Sequence, residues 1–314
     1  MIANVLDKIK NTYYFFGNLN QKITKSIKLQ SLVIAKNNRL KDKIDSLCDV
    51  EFSGFSQWGE DGIIDWSIER LPGIKPIFIE FGVENYQESN TRLLLQLRNW
   101  KGFVLDGSSK NVANIQNQSI YWRYHLQAKC AFINRDNIND LIKSVGLLGE
   151  IGLLSIDIDG NDYWVWETIN IVSPAIVVCE YNALFGDLEK ISIPYQPEFQ
   201  RGKAHYSNLY FGASILALID LAQQKGYTFV GTNSNGCNAF FVRNDYANFV
   251  INSINQVKFF PSLFAEGRNL KKNALTYYRG VARLQAIEHL PVYSFTEKKN
   301  KLLSELNLYS ENWA

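Results

Sequence analysis

The sequence predicts an α/β fold with a doubly wound, mostly parallel, seven-stranded sheet that an antiparallel β-hairpin closes, and with helical additions at both ends. Two observations predict this fold. Between residues 52 and 250, short apolar β-rich runs alternate with segments of helical periodicity, which is typical of parallel strands joined by right-handed crossovers. The last two runs, 227–232 and 239–243, flank the turn signature Asn233-Ser-Asn-Gly236, which indicates a hairpin.

The elements follow in order along the chain. A helix is predicted over 57–71, where Pro72-Gly73 ends it. Five strands are predicted at 76–81, 102–106, within 127–133, at 151–158 and at 174–180, with helices between them. An apolar helix over 213–225 stops at Gly226. We therefore expect an N-terminal helical extension over 1–50, a main domain over 51–250 and a helical C-terminal segment over 251–314.

Composition limits the class of protein. The 314 residues are 46% hydrophobic, enough for one sizeable core. The formal net charge of +2 gives no reason to expect a nucleic-acid partner. No apolar run is long enough to span a bilayer, and the N-terminus lacks the apolar region of a signal peptide. These features predict a cytoplasmic protein.

The N-terminal extension is basic, and its apolar residues recur at loosely helical spacing. One interpretation is a helical cap on the main domain. The other is a basic amphipathic helix that makes weak peripheral contact with an anionic membrane. The two ends of the chain could also mediate a homodimer.

Five acids stand at or just after strand ends: Glu80, Asp106, Asp157, Asp159 and Glu180. In open α/β sheets, ligands bind beyond the carboxyl ends of the strands, so these acids should face one crevice. An individual acid in such a position can instead cap a helix.

A nucleotide-binding pattern accompanies these acids. Gly82 directly follows the first strand, where a backbone must approach a ligand closely. Asp106 ends the second strand about two dozen residues after Glu80, where a ribose-binding acid belongs in a nucleotide-binding α/β unit. A carboxylate there would accept hydrogen bonds from ribose hydroxyls.

Several phrases of the sequence resemble a known family. Phe78-Ile-Glu-Phe-Gly-Val-Glu84 and Phe103-Val-Leu-Asp-Gly107 resemble the first two motifs of class I S-adenosylmethionine-dependent methyltransferases, which have a Rossmann-like fold. Four further phrases resemble FkbM-like methyltransferases, often associated with bacterial surface polysaccharides: Ser56-Gln-Trp-Gly-Glu-Asp61, Glu88-Ser-Asn-Thr91, Leu154-Ser-Ile-Asp-Ile-Asp-Gly-Asn-Asp-Tyr163 and Asn238-Ala-Phe-Phe-Val242. The resemblance covers roughly residues 52–245.

The resemblance implies S-adenosylmethionine as cofactor and O-methylation of a sugar hydroxyl or another small-molecule acceptor. The cofactor-binding residues that it implies are Glu80, Gly82, Asp106, Phe132, Asn134 and Asp157. One departure stands out: Glu84 and Tyr86 occupy later positions of a loop in which the family usually has further glycines.

A sugar hydroxyl needs either a general base or a divalent metal before it attacks a methyl group. The candidate catalytic residues are Asp157, Asp162 and His205, with His205 as the preferred base because substrate loops often follow the fifth strand. The candidate ligands for Mg²⁺ or Mn²⁺ are Asp159, Glu180 and Asn182. The segment Asp159-Gly-Asn-Asp162, which contains two of these candidates, also fits a turn held by Asx hydrogen bonds.

Other classes of protein stay open. Asp157-Ile-Asp159 is a D-x-D sequence, as found in metal-dependent glycosyltransferases. A non-catalytic binding module with an altered cofactor loop is a further alternative. A nicotinamide dehydrogenase is disfavoured, because no G-x-G-x-x-G follows the first strand.

Overall fold

The computed structural model describes residues 2–270 and 274–313. Ten strands are β1 Ile77–Phe81, β2 Lys101–Asp106, β3 Leu126–Cys130, β4 Gly149–Ile156, β5 Val172–Glu180, β6 Ile191–Ser192, β7 Tyr227–Thr232, β8 Asn238–Arg243, β9 Pro291–Ser294 and β10 Lys299–Leu302. The α-helices are α1 Ile2–Arg39, α2 Glu60–Arg70, α3 Arg92–Arg98, α4 Ser109–Asn117, α5 Ser119–Arg123, α6 Ile138–Lys143, α7 Asp162–Thr168, α8 Arg201–Ala204, α9 Ile215–Gln224 and α10 Asn244–Ile251.

The main sheet has seven strands in the order β3-β2-β1-β4-β5-β8-β7. Strands β1 to β5 are parallel, whereas β8 runs antiparallel to both β5 and β7. The predicted doubly wound fold with a closing hairpin is therefore confirmed. The strand order reverses between β1 and β4, so the ligand crevice of such a sheet belongs at their carboxyl ends.

Successive strand side chains point to opposite faces of the sheet, and helices cover both faces, so both sets of side chains are buried. In β1, Ile79 packs in a core with α6, α7 and α9, whereas Phe78 packs in a second core with α2, α3 and α4. The strands β1, β2, β4 and β5 are mainly apolar for this reason, and that pattern made them predictable.

The N-terminal extension is helical, as expected, and forms the single 38-residue helix α1. Its last turns contact the body of the protein: Ser31, Ala35 and Asn38 are buried, and Arg39 pairs with Asp65 on α2 at 3.0 Å. Among the described residues, no helix is both long and apolar enough to cross a membrane.

The prediction of a helical C-terminal segment is wrong. After α10 ends at Ile251, the described residues are mostly irregular, apart from short 3-10 turns and the strands β9 and β10. These two strands form a small antiparallel sheet with β6, which lies between β5 and α9 in the chain. The strands are only four residues long and rich in polar residues, so they lack the apolar run that identifies a buried strand.

Candidate active site

Two adjoining cavities lie at the carboxyl ends of β1, β2, β4 and β5. The small cavity has a volume of about 290 Å³ and extends toward β2 and β3; the large cavity has about 580 Å³ and extends toward β5 and β8. They share the lining residues Gly82, Glu84, Asp157, Asp159 and Arg201. The strand-end acids predicted to face one crevice line these two cavities.

Gly82 lines both cavities, and its backbone lies directly against the backbone of Asp157. Its φ of +73° is left-handed, and a Cβ there would lie 1.5 Å from the carbonyl oxygen of Asp157. Its backbone N–H donates to Leu105 O at 2.9 Å. Only glycine lets the turn after β1 sit against the ends of both neighbouring strands.

The loop that follows adopts glycine-like geometry without glycines. Glu84 and Tyr86, the two departures from the family pattern, have left-handed φ values of 47° and 61°. The Glu84 N–H donates to Asp106 at 2.8 Å, and the buried Tyr86 hydroxyl lies 3.0 Å from the Thr91 hydroxyl. These contacts stabilise a conformation that costs a non-glycine residue about 1–2 kcal/mol.

Asp106 lines the small cavity from the end of β2. One carboxylate oxygen accepts from Glu84 N–H, and the other accepts from Ser108 N–H at 2.8 Å and Asn111 Nδ2 at 3.1 Å. A carboxylate offers about four acceptor sites, so three internal bonds leave about one for a ligand hydroxyl.

Glu80 is also at the crevice, yet its carboxylate is engaged within the protein. It accepts hydrogen bonds from the Ser89 and Thr91 hydroxyls and from the backbone N–H groups of Asn90 and Thr91. Burial raises its pKa, and these donors oppose the increase. The geometry makes Glu80 an anchor for the 89–91 segment, and it explains the phrase Glu88-Ser-Asn-Thr91.

Three acids meet where β4 and β5 end. One carboxylate oxygen from each of Asp157, Asp159 and Glu180 lies within 4.8 Å of the others. Burial and then the neighbouring carboxylates raise the pKa values of Asp157 and Glu180 well above the usual range, while Arg201 lowers them. Glu180 Oε2 is buried and has no hydrogen-bond partner among the described residues. The acid cluster, as we call these three residues, therefore presents oxygen acceptors that suit a hard cation.

Arg201 is the cation beside the acid cluster, and the sequence did not reveal it. Its guanidinium donates to Asp159 at 2.7 Å and to Glu266 at 3.1 Å. The same group lies 3.8 Å from the ring centroid of Phe211. Nothing in the loop around Arg201 resembles a motif, so only the folded chain shows that this side chain lines both cavities.

A polar network forms the floor of the large cavity, and its residues were also not predicted as site residues. Glu60 accepts from Trp58 N–H at 2.8 Å, from Asn233 Nδ2 at 2.8 Å and from Asn238 Nδ2 at 2.9 Å. Asn238 Oδ1 is buried without a partner among the described residues. Trp58 contacts Phe264 at the cavity wall, with ring centroids 4.8 Å apart and the ring planes tilted by 46°.

Two predicted site residues are committed to backbone groups outside these cavities. Asp162 is buried and accepts from Ile158 N–H at 2.8 Å and Gly160 N–H at 2.9 Å, so its carboxylate holds the 158–160 turn through hydrogen bonds to residues that precede it. Burial raises its pKa to about 6. Asn182 lines neither cavity; its amide donates to two carbonyls of the 209–211 segment and its Oδ1 accepts from Leu184 N–H.

The remaining predictions divide similarly. His205 lines neither cavity; its Nδ1 lies 2.7 Å from Ser207 Oγ, and burial, followed by His289, lowers its pKa. Asn134 caps its own turn, because its Oδ1 accepts from the N–H groups of residues 136 and 137. Phe132, which is 41% exposed, does line the small cavity.

No protein-family model matches the sequence, and no curated protein matches it. Solved structures share part of the fold at 10% identity. The N-terminal domain of EvdMO1 with SAH bound aligns with a TM-score of 0.41 over 70% of this chain and 95% of that one. The same domain in the presence of SAH and D-fucose gives 0.40 over the same shares. An S-adenosylmethionine-dependent methyltransferase from Clostridium acetobutylicum ATCC 824 gives 0.36 over 59% and 90%. At this similarity, the functional assignment depends on the site itself.

Proposed function

We propose that this protein is a class I, FkbM-like, S-adenosylmethionine-dependent O-methyltransferase that acts on a sugar hydroxyl of a bacterial surface polysaccharide or its precursor. One observation carries the proposal: the Gly82 turn packs against the end of β4, directly beside Asp106 at the end of β2. That arrangement, at the point where strand order reverses, is the binding site of a nucleoside ligand in this kind of sheet.

The small cavity suits the adenosyl part of the cofactor. Gly82 leaves the cavity wall without a side chain at this position, and Asp106 retains about one acceptor site for a ribose hydroxyl. Leu105, Phe132 and Ile133 provide apolar contacts for a purine ring. Bound S-adenosylmethionine supplies a methyl group that its sulfonium has already activated.

The large cavity suits a carbohydrate acceptor. The Trp58–Phe264 pair provides an aromatic wall for the apolar face of a sugar ring, and the Glu60 network and the acid cluster provide acceptors for its hydroxyls. Because the two cavities share Gly82 and Asp157, a methyl donor in one would meet an acceptor in the other. Methyl transfer needs mainly this alignment.

Asp157 takes the role of catalytic base in this proposal. It lines both cavities, and its raised pKa brings a carboxylate closer to the range in which it removes a proton effectively. His205 lies outside both cavities, so we do not assign it this role. The alternative to a general base is a metal: Asp157, Asp159 and Glu180, with the unpartnered Glu180 Oε2, fit Mg²⁺ or Mn²⁺, and such an ion would acidify a coordinated hydroxyl in place of the base.

Calorimetric titration tests the proposal. The purified chain should bind S-adenosylmethionine and SAH with micromolar affinity, and Asp106→Asn should weaken this binding about tenfold by removing one charged acceptor. Asp140→Asn, an exposed acid on α6, is the matched control and should bind as the unmodified chain does.

The acid cluster also fits the D-x-D alternative, because it contains both Asp157 and Asp159. UDP- and GDP-sugars, with and without Mg²⁺, are therefore included as competing ligands. Metal-dependent binding of a nucleotide-sugar alone would replace the methyltransferase with a glycosyltransferase. If none of these ligands binds, a non-catalytic binding module becomes the better assignment.

A further inference from the structure

Helix α1 has a long exposed section, residues 14–23, before it reaches the body of the protein. At about 1.5 Å per residue, the 38-residue helix is about 57 Å long, and the buried residues among its described side chains lie in its last turns, which pack against α2 and α3. Every described side chain from residue 14 to residue 23 is exposed. This part of the helix therefore projects from the body of the protein.

The projecting part has one strongly apolar face. Phe15, Phe16, Leu19 and Ile23 are 63%, 57%, 39% and 47% exposed. At 3.6 residues per turn, these four side chains fall within an arc of about 100°. An exposed apolar stripe of this kind indicates a surface that is covered in the functional state.

Charge identifies what covers this stripe. From Lys8 to Lys41 the sequence has eight lysines and arginines and no acid; Lys22 and Lys25 are exposed and Lys28 is half-buried. Residues 1–41 carry +7 after Asp7 is counted, and the whole chain carries +2, so residues 42–314 carry −5. A second copy of α1 would bring like charges together, whereas an anionic lipid surface would complement them.

The body of the protein extends the basic surface. Lys28 Nζ donates to the Tyr124 hydroxyl at 3.1 Å, beside Trp122, which is 71% exposed. A cavity of about 570 Å³ next to it is lined by Lys75, Lys101, Arg123, Tyr124 and His125, at the amino ends of β1, β2 and β3. The amino ends of these strands lie opposite the crevice, which is at the carboxyl ends, so a membrane contact there leaves the candidate active site open.

We propose that α1 binds the surface of an anionic lipid bilayer, with Phe15, Phe16, Leu19 and Ile23 inserted between the headgroups and the basic residues against the lipid charges. Trp122 and the basic cavity extend the contact. The helix lies in the interface and does not cross it. This inference does not depend on the proposed methyltransferase activity.

Flotation of the full chain with vesicles tests the proposal. Vesicles of phosphatidylcholine with about 30% phosphatidylserine should bind the chain, vesicles of phosphatidylcholine alone should bind it at least tenfold more weakly, and about 0.5 M NaCl should reduce binding to the anionic vesicles. Equal binding to both kinds of vesicle, or binding to neither, would overturn the proposal.

Two sets of variants separate the apolar and the charged contributions. The double variant Phe15→Ser/Phe16→Ser should lose at least nine-tenths of the bound fraction, whereas Leu263→Ser, an equally exposed apolar residue elsewhere, should bind normally. Lys22→Gln/Lys25→Gln should bind about 25-fold more weakly, since each cation contributes about a fivefold factor. Lys110→Gln/Lys143→Gln is the matched control.

Sedimentation equilibrium distinguishes the alternative occupant. The proposal expects the same mass for the unmodified chain and the Phe15→Ser/Phe16→Ser variant in the absence of lipid. A dimer that this double variant dissociates, together with unchanged vesicle binding, would assign the apolar stripe to a second copy of the chain and overturn the lipid proposal.

Discussion

A Cβ atom at Gly82 would lie 1.5 Å from the carbonyl oxygen of Asp157, so the turn after β1 and the end of β4 are in direct backbone contact. The contact joins Gly82, in the turn after β1, to Asp157, and both residues line both cavities. Any side chain at position 82 must separate these two strand ends. The fold and the candidate site therefore depend on the same contact between the backbones of Gly82 and Asp157.

The first prediction concerns Gly82→Ala. We expect this variant to lose detectable SAH binding in calorimetry and to unfold with a free energy at least about 2 kcal/mol lower than Gly73→Ala. Gly73 is the matched control because its φ of +68° is also left-handed, yet a Cβ there meets nothing within 4 Å. Equal stability of the two variants would show that left-handed strain alone, and not the clash with Asp157, explains the glycine.

The second prediction concerns Glu84, a non-glycine residue with a left-handed φ of 47°. Glu84→Gly should relieve about 1–2 kcal/mol of strain, partly offset by the greater freedom of glycine in the unfolded chain. Glu88→Gly at the nearby position has only the unfavourable contribution, because Glu88 is not among the left-handed residues.

Urea unfolding of both variants provides the measurement. We expect Glu84→Gly to be more stable than Glu88→Gly by about 1 kcal/mol or more. A Glu84→Gly variant that is as destabilised as Glu88→Gly would mean that the glutamate side chain contributes more than the strain costs.

The third prediction concerns the pH dependence that Asp61 imposes. Its carboxylate is buried and accepts hydrogen bonds from the backbone N–H groups of residues 54–56. Burial raises its pKa to about 7, although these hydrogen bonds lower it. A raised pKa means that the folded state binds the proton more tightly than the unfolded state. Its contribution to stability is therefore full below about pH 3.8 and is lost as pH rises through about 7.

Asp61→Asn should remove this dependence, because the amide is neutral at every pH and its oxygen still accepts hydrogen bonds. In urea unfolding, the stability of Asp61→Asn relative to the unmodified chain should increase between pH 4 and pH 7, by up to about 4 kcal/mol. Asp140→Asn is the exposed control, and its curve should run parallel to that of the unmodified chain. A parallel curve for Asp61→Asn as well would contradict the prediction.

Particular residues show how far the sequence predicts this protein. The apolar runs of β1, β2, β4 and β5 identify buried strands within a few residues, because burial on both faces leaves a direct signal in composition, and the hairpin strand β7 is predicted at its observed bounds. The short polar strands β9 and β10 leave no such signal, because they form a small separate sheet with β6.

The candidate site divides in the same way. Gly82, Asp106 and Asp157 could be predicted because strand ends in a parallel sheet must converge. Asn182 and Asp162 share that position but bond to their own backbone, which depends on local geometry. The path of a loop is not encoded in a short motif, so the positions of Arg201 and of His205 could not be predicted.

The fourth prediction uses Arg201 to test the acid cluster as a cation site. Arg201 competes with a cation for Asp159, to which it donates at 2.7 Å, and it opposes the negative charge of Glu180. Arg201→Gln should therefore bind Mn²⁺ about tenfold more tightly in calorimetry, while Asp159→Asn should bind it more weakly. The matched control is Arg243→Gln. The guanidinium of Arg243 likewise pairs with two acids, Glu150 and Asp245, but at the amino end of β4, away from the cluster. Because Arg201 faces the cluster and Arg243 does not, an unchanged Mn²⁺ affinity in Arg201→Gln would mean that Asp159 is not a ligand, and the cluster would then retain its role around the acceptor hydroxyl.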